Sequence, residues 1–249
     1  MIELFDCQCG FGGGRAGERG TPSAADCLGE MRRLHVGRAL VRRAPHELDA
    51  DVALTNQQLF AACDGHEALV PCPVLLPASG GDVADESEQV DALVRHGGGA
   101  AHLRPGKDLW LAAPWASGRL FDALQARRVP ALCLEAEFGI EKLAALAGRW
   151  PDLPFLYAEV GYRVQRTLLP LLETFGNVHL SLGSRYTVQG GVEQLVARVG
   201  PQRLLFGTGY PDSDMMPAIT MLLYADLDDD AKRQIAAGNL ERLVGGILR

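Results

Sequence analysis

Eight short runs rich in Val, Leu, Ile, Phe and Cys recur along the chain, separated by segments in which apolar residues fall three or four positions apart. The runs are IELFDCQC (2–9), GRALVR (37–42), ALVPCPVLL (68–76), AAHLRP (100–105), PALCLEA (130–136), PFLYAEVG (154–161), NVHLSLGS (177–184) and RLLFGTGY (203–210). Their length and β-branched or aromatic content read as buried strands. The intervening segments carry helical spacing, as with Leu120 and Leu124 in GRLFDALQARR or Leu143 and Leu146 in IEKLAALAGRW. Ser23 followed three residues later by Asp26 reads as a capping box that opens the first helix. The tail, from about 226 to 249, predicts two short helices, with Asp226 or Asp228 as first cap and a break at Gly238-Asn239. Strand then helix, eight times over, predicts an α/β protein with a single (β/α)8 TIM barrel over residues 1–249.

Composition narrows the partners. Hydrophobic residues make up 47% of the 249, enough for one large core, and the formal net charge is -7. An acidic balance argues against nucleic acid or an anionic membrane as partner. No apolar run reaches the length of a membrane span, and acids (Glu3, Asp6) stand where a signal peptide needs basic residues. The expectation is a cytoplasmic protein. The six cysteines are scattered without a C-x-x-C pair, which predicts small buried thiols rather than a disulfide framework.

Several stretches together resemble the amidohydrolase-related family, the amidohydrolase 2 branch of the metal-dependent hydrolases. PDLPFLYAEVG, NVHLSLGS, RLLFGTGYPDSD and IAAGNLERLVGGI stand where that family reads P-x-L-P-x-x-x-x-H-x-G, N-x-x-x-x-x-S, L-x-F-G-S-D-Y-P and I-x-x-x-N-A-x-R-L. FDCQCGFG fits its opening D-x-H-x-H-x-G. The resemblance implies a TIM barrel with its site at the C-terminal mouth, where histidines and an aspartate hold one or two divalent metals that activate water or polarise substrate.

Carried over residue by residue, the resemblance puts Gln8 and Gly10 at the two histidines of the first strand, Glu159 at the histidine of the sixth and Gly209 at the aspartate of the eighth. At the fifth strand the register is open between Leu134 and Glu135, and neither is histidine. The site is therefore expected to hold no metal and no cofactor. With Gln8 and Gly10 facing inward, strand alternation turns Cys7 and Cys9 toward the helices, as packing residues rather than ligands.

Glu159 is the leading catalytic candidate, as a general acid or base; a structural ion pair with a neighbouring arginine is an equal reading. Glu135 is the second. Glu135 and Glu137 alternate about Ala136, so one of them faces the mouth and could oppose Glu159 as in glycosidases. Arg104, Arg163 and Arg185 suit a carboxylate or phosphate, and Gln8 and Tyr210 complete the substrate-binding set; Ser184 and Tyr186 lie on the same loop as Arg185. Gly12-x-Gly14-x-x-Gly17 matches the dinucleotide fingerprint only formally, because the following helix starts late and the second strand ends in Arg42-Arg43. His102 and His179, on the fourth and seventh strands, read as structural. The functional expectation is a metal-independent hydrolase acting on a small anionic molecule such as a lactone or carboxylate, in keeping with wider-family members that hydrolyse lactones without metal. A catalytically inactive barrel with a binding or assembly role is the alternative. Self-association stays open.

Overall fold

The computed structural model describes residues 2–12, 22–43, 51–183, 185–186 and 188–249. Eight parallel strands appear in chain order: β1 (Phe5–Phe11), β2 (Arg38–Arg43), β3 (Leu69–Pro71), β4 (Ala101–Leu103), β5 (Ala131–Leu134), β6 (Phe155–Ala158), β7 (Val178–Leu182) and β8 (Leu204–Phe206). They pair as β1-β2-β3 and β4-β5-β6-β7-β8. Two seams close the ring into a (β/α)8 barrel. At one, Val74 bridges to His102, whose backbone N–H donates to the Pro73 carbonyl at 2.8 Å. At the other, the Gly209 N–H donates to the Gln8 carbonyl at 2.8 Å.

Helices follow the strands: α1 (Ala24–Arg33), α2 (Val52–Cys63), α3 (Glu86–Arg95), α4 (Pro114–Arg127), α5 (Glu135–Arg149), α6 (Gln165–Thr174), α7 (Gly191–Val199) and α8 (Met215–Leu223). The Ser23–Asp26 capping box that opens α1 is present. α2 and α3 are tied to the segment after β3 by amide clamps, in which Asn56 exchanges two hydrogen bonds with the Val74 backbone and Gln89 does the same with Leu76.

Three expectations change. The fifth strand ends at Leu134, and Glu135 through Glu137 already belong to α5. The tail has α9 (Asp229–Arg233), capped by Asp228, and α10 (Asn239–Gly245), but no break lies between them. Gly238 keeps helical angles, φ -56 and ψ -36, and a π-helical segment over Gln234–Gly238 absorbs the irregularity. Finally, β1 is not regular: Asp6 pairs with Ala39 and Cys9 with Val41, so three steps on β1 oppose two on β2. That bulge breaks the alternation assumed for its cysteines.

Candidate functional site at the barrel mouth

The bulge decides which side chains of β1 reach the interior. Cys9 faces outward as expected, its sulfur 3.5 Å from that of Cys27 on α1. Cys7 does not. Its thiol donates to Ser181 Oγ on β7 at 3.2 Å, on the side where Ser181 also donates to Gln8 Oε1 at 3.3 Å. Cys7 and Gln8 thus turn to the same side in succession, as the two residues of a bulge do.

Gln8 is held from below by Asp6. This buried carboxylate accepts from the backbone N–H of Gln8 at 2.8 Å and of Thr208 at 3.0 Å, and from the Thr208 hydroxyl. Burial raises its pKa above the usual carboxylate range, against the pull of these hydrogen bonds and the Arg42 charge. Asp6 is therefore a clamp between β1 and the end of β8.

Above it lies an ionic cluster. Gln8 Nε2 donates to Glu159 Oε1 at 2.9 Å. Arg42, at the end of β2, approaches the same oxygen at 3.4 Å and Asp212 at 3.8 Å; Arg185, beyond β7, approaches Glu159 Oε2 at 3.6 Å. Arg42 is buried, whereas Arg185 and Asp212 are well exposed. Glu159 itself has φ +60, a left-handed conformation that costs a non-glycine residue about 1 kcal/mol. A cavity of about 10 Å³ is lined by Gln8, Glu159, Gly183, Arg185, Thr208 and Gly209, with Asp212 and Ser213. That is room for about one water molecule.

Arg42 reaches the centre because Gly10, its register partner on β1, has no side chain. A Cβ at position 10 would stand 2.8 Å from the Arg42 carbonyl oxygen and 3.5 Å from its Cγ. One nitrogen of Arg42, Nε, is buried without a partner, as are Nη1 of Arg104 and both ring nitrogens of His102. Burial, then the charges of Arg42, Arg104 and Lys107, hold His102 neutral, far below the usual histidine range.

Of the predicted residues, Gln8, Glu159 and Arg185 converge. The others are placed differently. Arg104 is buried and makes a two-pronged pair with Asp108 at 2.9 Å, which spends its fork within its own loop. Arg163 is exposed on the turn Tyr162–Val164 and makes no ion pair with Glu159. Tyr210 points toward α1; burial raises its pKa to about 12, with Cys27, Cys9, Glu30 and Asp26 pushing the same way. Glu135 opens α5 and is not bonded to Glu159, while Glu137 accepts from the backbone N–H groups of Gly106 and Lys107. Leu134 pairs with Ala158, so Glu135 and Glu159 follow as neighbouring residues at the ends of β5 and β6, without a direct bond between them. Ser184 and most of the Gly12–Gly17 motif lie outside the described residues. Tyr186 is buried.

Arg42, Asp212, Thr208 and Ser181 were not expected in the site. Arg42 had a signal: two residues after Leu40, it falls on the same strand face as a core residue. Asp212 had none, since it reaches Arg42 from a loop 170 positions away in the chain. Among the described residues, no three His, Cys, Asp or Glu side chains are grouped so as to hold a metal ion. A groove of about 1350 Å³ between α2 and α3, lined by Arg38, Phe60, Val70, Arg95 and His96, shares no residue with the cluster.

The amidohydrolase family profile matches residues 19–246. No curated protein matches the chain in sequence. Among solved structures, a putative 2-pyrone-4,6-dicarboxylic acid hydrolase from Pseudomonas putida is 15% identical with TM-score 0.73, covering 100% of both chains. A 5-carboxyvanillate decarboxylase from Sphingomonas paucimobilis is 13% identical with TM-score 0.71, over 98% of this chain and 99% of that one. An uncharacterized TIM-barrel protein from Bordetella bronchiseptica is 16% identical with TM-score 0.73, over 98% and 99%. At such identities the likeness is one of fold.

Proposed function

The chain belongs to the amidohydrolase family, and from that premise we propose that it is a metal-independent, hydrolase-like member whose barrel mouth takes a small anionic molecule, a carboxylate or lactone. The observation that carries this reading is the pair of guanidinium groups, Arg42 and Arg185, converging on the Glu159 carboxylate. Both contacts are long, at 3.4 and 3.6 Å, and Arg42 keeps an unpartnered nitrogen. Arginine forks suit a carboxylate, and these two retain donors for a second one. The names of two structural neighbours, a carboxyvanillate decarboxylase and a pyrone dicarboxylic acid hydrolase, describe carboxylated molecules of the same chemistry.

The family's metal does not fit this donor set. Gln8 turns its amide nitrogen, not its oxygen, to Glu159. Glu159 already faces two positive charges and Asp212 one of them, and these oppose a third. Positions 10 and 209 are closed to ligand side chains by the backbone: a Cβ at 10 meets the Arg42 carbonyl, and Gly209 has φ +77.

The chemistry proposed for this site uses only the chain's own groups. Arg42 and Arg185 hold the carboxylate of the substrate. A water in the small cavity attacks the lactone carbonyl while Glu159 accepts its proton. The ring C–O bond then breaks, and that proton passes to the departing alkoxide, leaving a hydroxy acid.

One observation favours the non-catalytic alternative: the side chains on the floor of the mouth leave only about 10 Å³ between them, far below a substrate pocket. Calorimetric titration with aromatic mono- and dicarboxylates, alongside proton release from their lactones, separates the two. Turnover that Glu159→Gln reduces by about 100-fold or more, with binding retained and weakened about tenfold or more by Arg185→Met, supports the enzyme. Binding without turnover supports the alternative. Neither binding nor turnover would reject the mouth as a ligand site.

A further inference from the structure

The end of the loop after β4 and the first turn of α4 form an uncharged run, Leu109 to Ala116, in which Leu109, Leu111, Pro114 and Trp115 are exposed and Ala112 is buried. Leu109 is 92% exposed, Trp115 81% and Leu111 58%, and Pro114 beside them is exposed as well. A soluble chain scatters single apolar side chains over its surface; it rarely gathers several in one short segment. Exposed apolar residues gathered in this way mark an interaction surface.

This segment is well built. Asp108 N–H donates to the Arg104 carbonyl, Trp110 N–H to Pro105 and Ala113 N–H to Leu111, at 2.9 to 3.0 Å. The Ser117 hydroxyl donates to the Leu111 carbonyl at 2.9 Å, and Glu137 accepts from Gly106 and Lys107. The Arg104–Asp108 pair pins its root. Leu109 sits at φ +55, left-handed for a residue that avoids that region, so the backbone tolerates strain while holding this leucine outward. A loose loop would fold such side chains back onto the barrel.

We propose that this apolar face is a dimer interface, occupied by the same loop of a second copy of this chain. The area supports a second copy. Three side chains of this size and exposure offer on the order of 400 Å² per chain, so two facing loops with their flanks reach about 1,000 Å², the lower limit of a specific interface. Charge points the same way. Each copy carries a formal -7, so like surfaces repel unless they meet through an uncharged patch, and this run contains no charged residue. The same net charge disfavours an anionic membrane as occupant. Because the loop starts at the mouth end of β4, a dimer formed here places the partner beside the rim of the site. The dimer does not depend on the proposed chemistry, and its test reads no activity.

The test is sedimentation equilibrium of the full chain at about 1 to 100 µM, with the Leu111→Glu/Trp115→Glu double variant and Tyr224→Glu as control. Tyr224 is 86% exposed at the end of α8. The expected result is a wild-type dimer, a double variant that is monomeric yet folded by circular dichroism, and a dimeric control. A wild type that stays monomeric at 100 µM overturns the proposal. So does a double variant that remains dimeric, which moves the interface elsewhere, as does a control that dissociates equally. Monomeric wild type that co-sediments with neutral phosphatidylcholine vesicles would give the face to a lipid surface instead.

Discussion

Asp6 shows how a single side chain joins two strands, clamping β1 to the end of β8. It satisfies two backbone N–H groups and one hydroxyl, all of them buried. Asp6→Ala leaves those donors without a partner and should cost about 2–3 kcal/mol in urea denaturation, while Asp6→Asn, which retains one acceptor, should cost clearly less. Equal losses would mean that charge, not hydrogen bonding, gives Asp6 its role. Gly10 makes a matching prediction. Its missing side chain leaves room for Arg42, so Gly10→Ala should destabilise by about 1–3 kcal/mol, and the size of the loss measures how far β2 can yield. An unchanged midpoint would show that β1 and β2 are not in close contact there.

At the scale of the element, the bulge in β1 matters most. It turns Cys7 inward, yet every cysteine of the chain is free and buried. Burial raises the thiol pKa at Cys7 and Cys72, and at Cys63 to about 12. Thiol-reactive labelling of the native protein should therefore be slow at all six and become complete only on unfolding; rapid labelling of Cys7 in the native state would contradict its inward position. The eight strands were legible in the sequence because each is a short apolar run, and the capping box of α1 was legible from two residues. The bulge was not, because an inserted residue shows only against the partner strand. Strand ends were equally hidden. PALCLEA reads as one strand, but its last residues enter α5, so Glu135 stands on the first turn of a helix and not on a strand. Of the ionic cluster, Gln8, Glu159 and Arg185 could be picked out as polar residues near strand ends. That Arg42 joins them depends on a glycine on the neighbouring strand, which no local pattern reports.

For the molecule as a whole, two buried histidines set an acid limit on stability. His102 is held neutral, and burial lowers His179 to about 3, with Arg203 and Arg242 adding to the effect. Both pKa values lie below the unfolded value of 6.5, so the unfolded chain takes up protons first. The stability these neutral imidazoles contribute is full above pH 6.5 and falls as the pH drops from there, by up to about 1.4 kcal/mol per pH unit for each. The raised pKa of Asp6 works in the opposite direction, because the folded chain takes up that proton before the unfolded chain does. Against the wild type, His102→Gln should lose less stability between pH 7 and 5 in urea midpoints; the same pH dependence in both proteins would mean that His102 is not held neutral in the fold.

In the proposed chemistry the mouth works through its own arginines and carboxylate rather than through a metal. Elemental analysis of untagged protein, with melting temperatures before and after chelator, tests it most directly. The expected result is well under about 0.1 equivalent of zinc, iron or manganese and a melting temperature that chelation leaves unchanged. About one equivalent, removable with loss of stability or activity, would contradict it and return the site to the metal chemistry of its family.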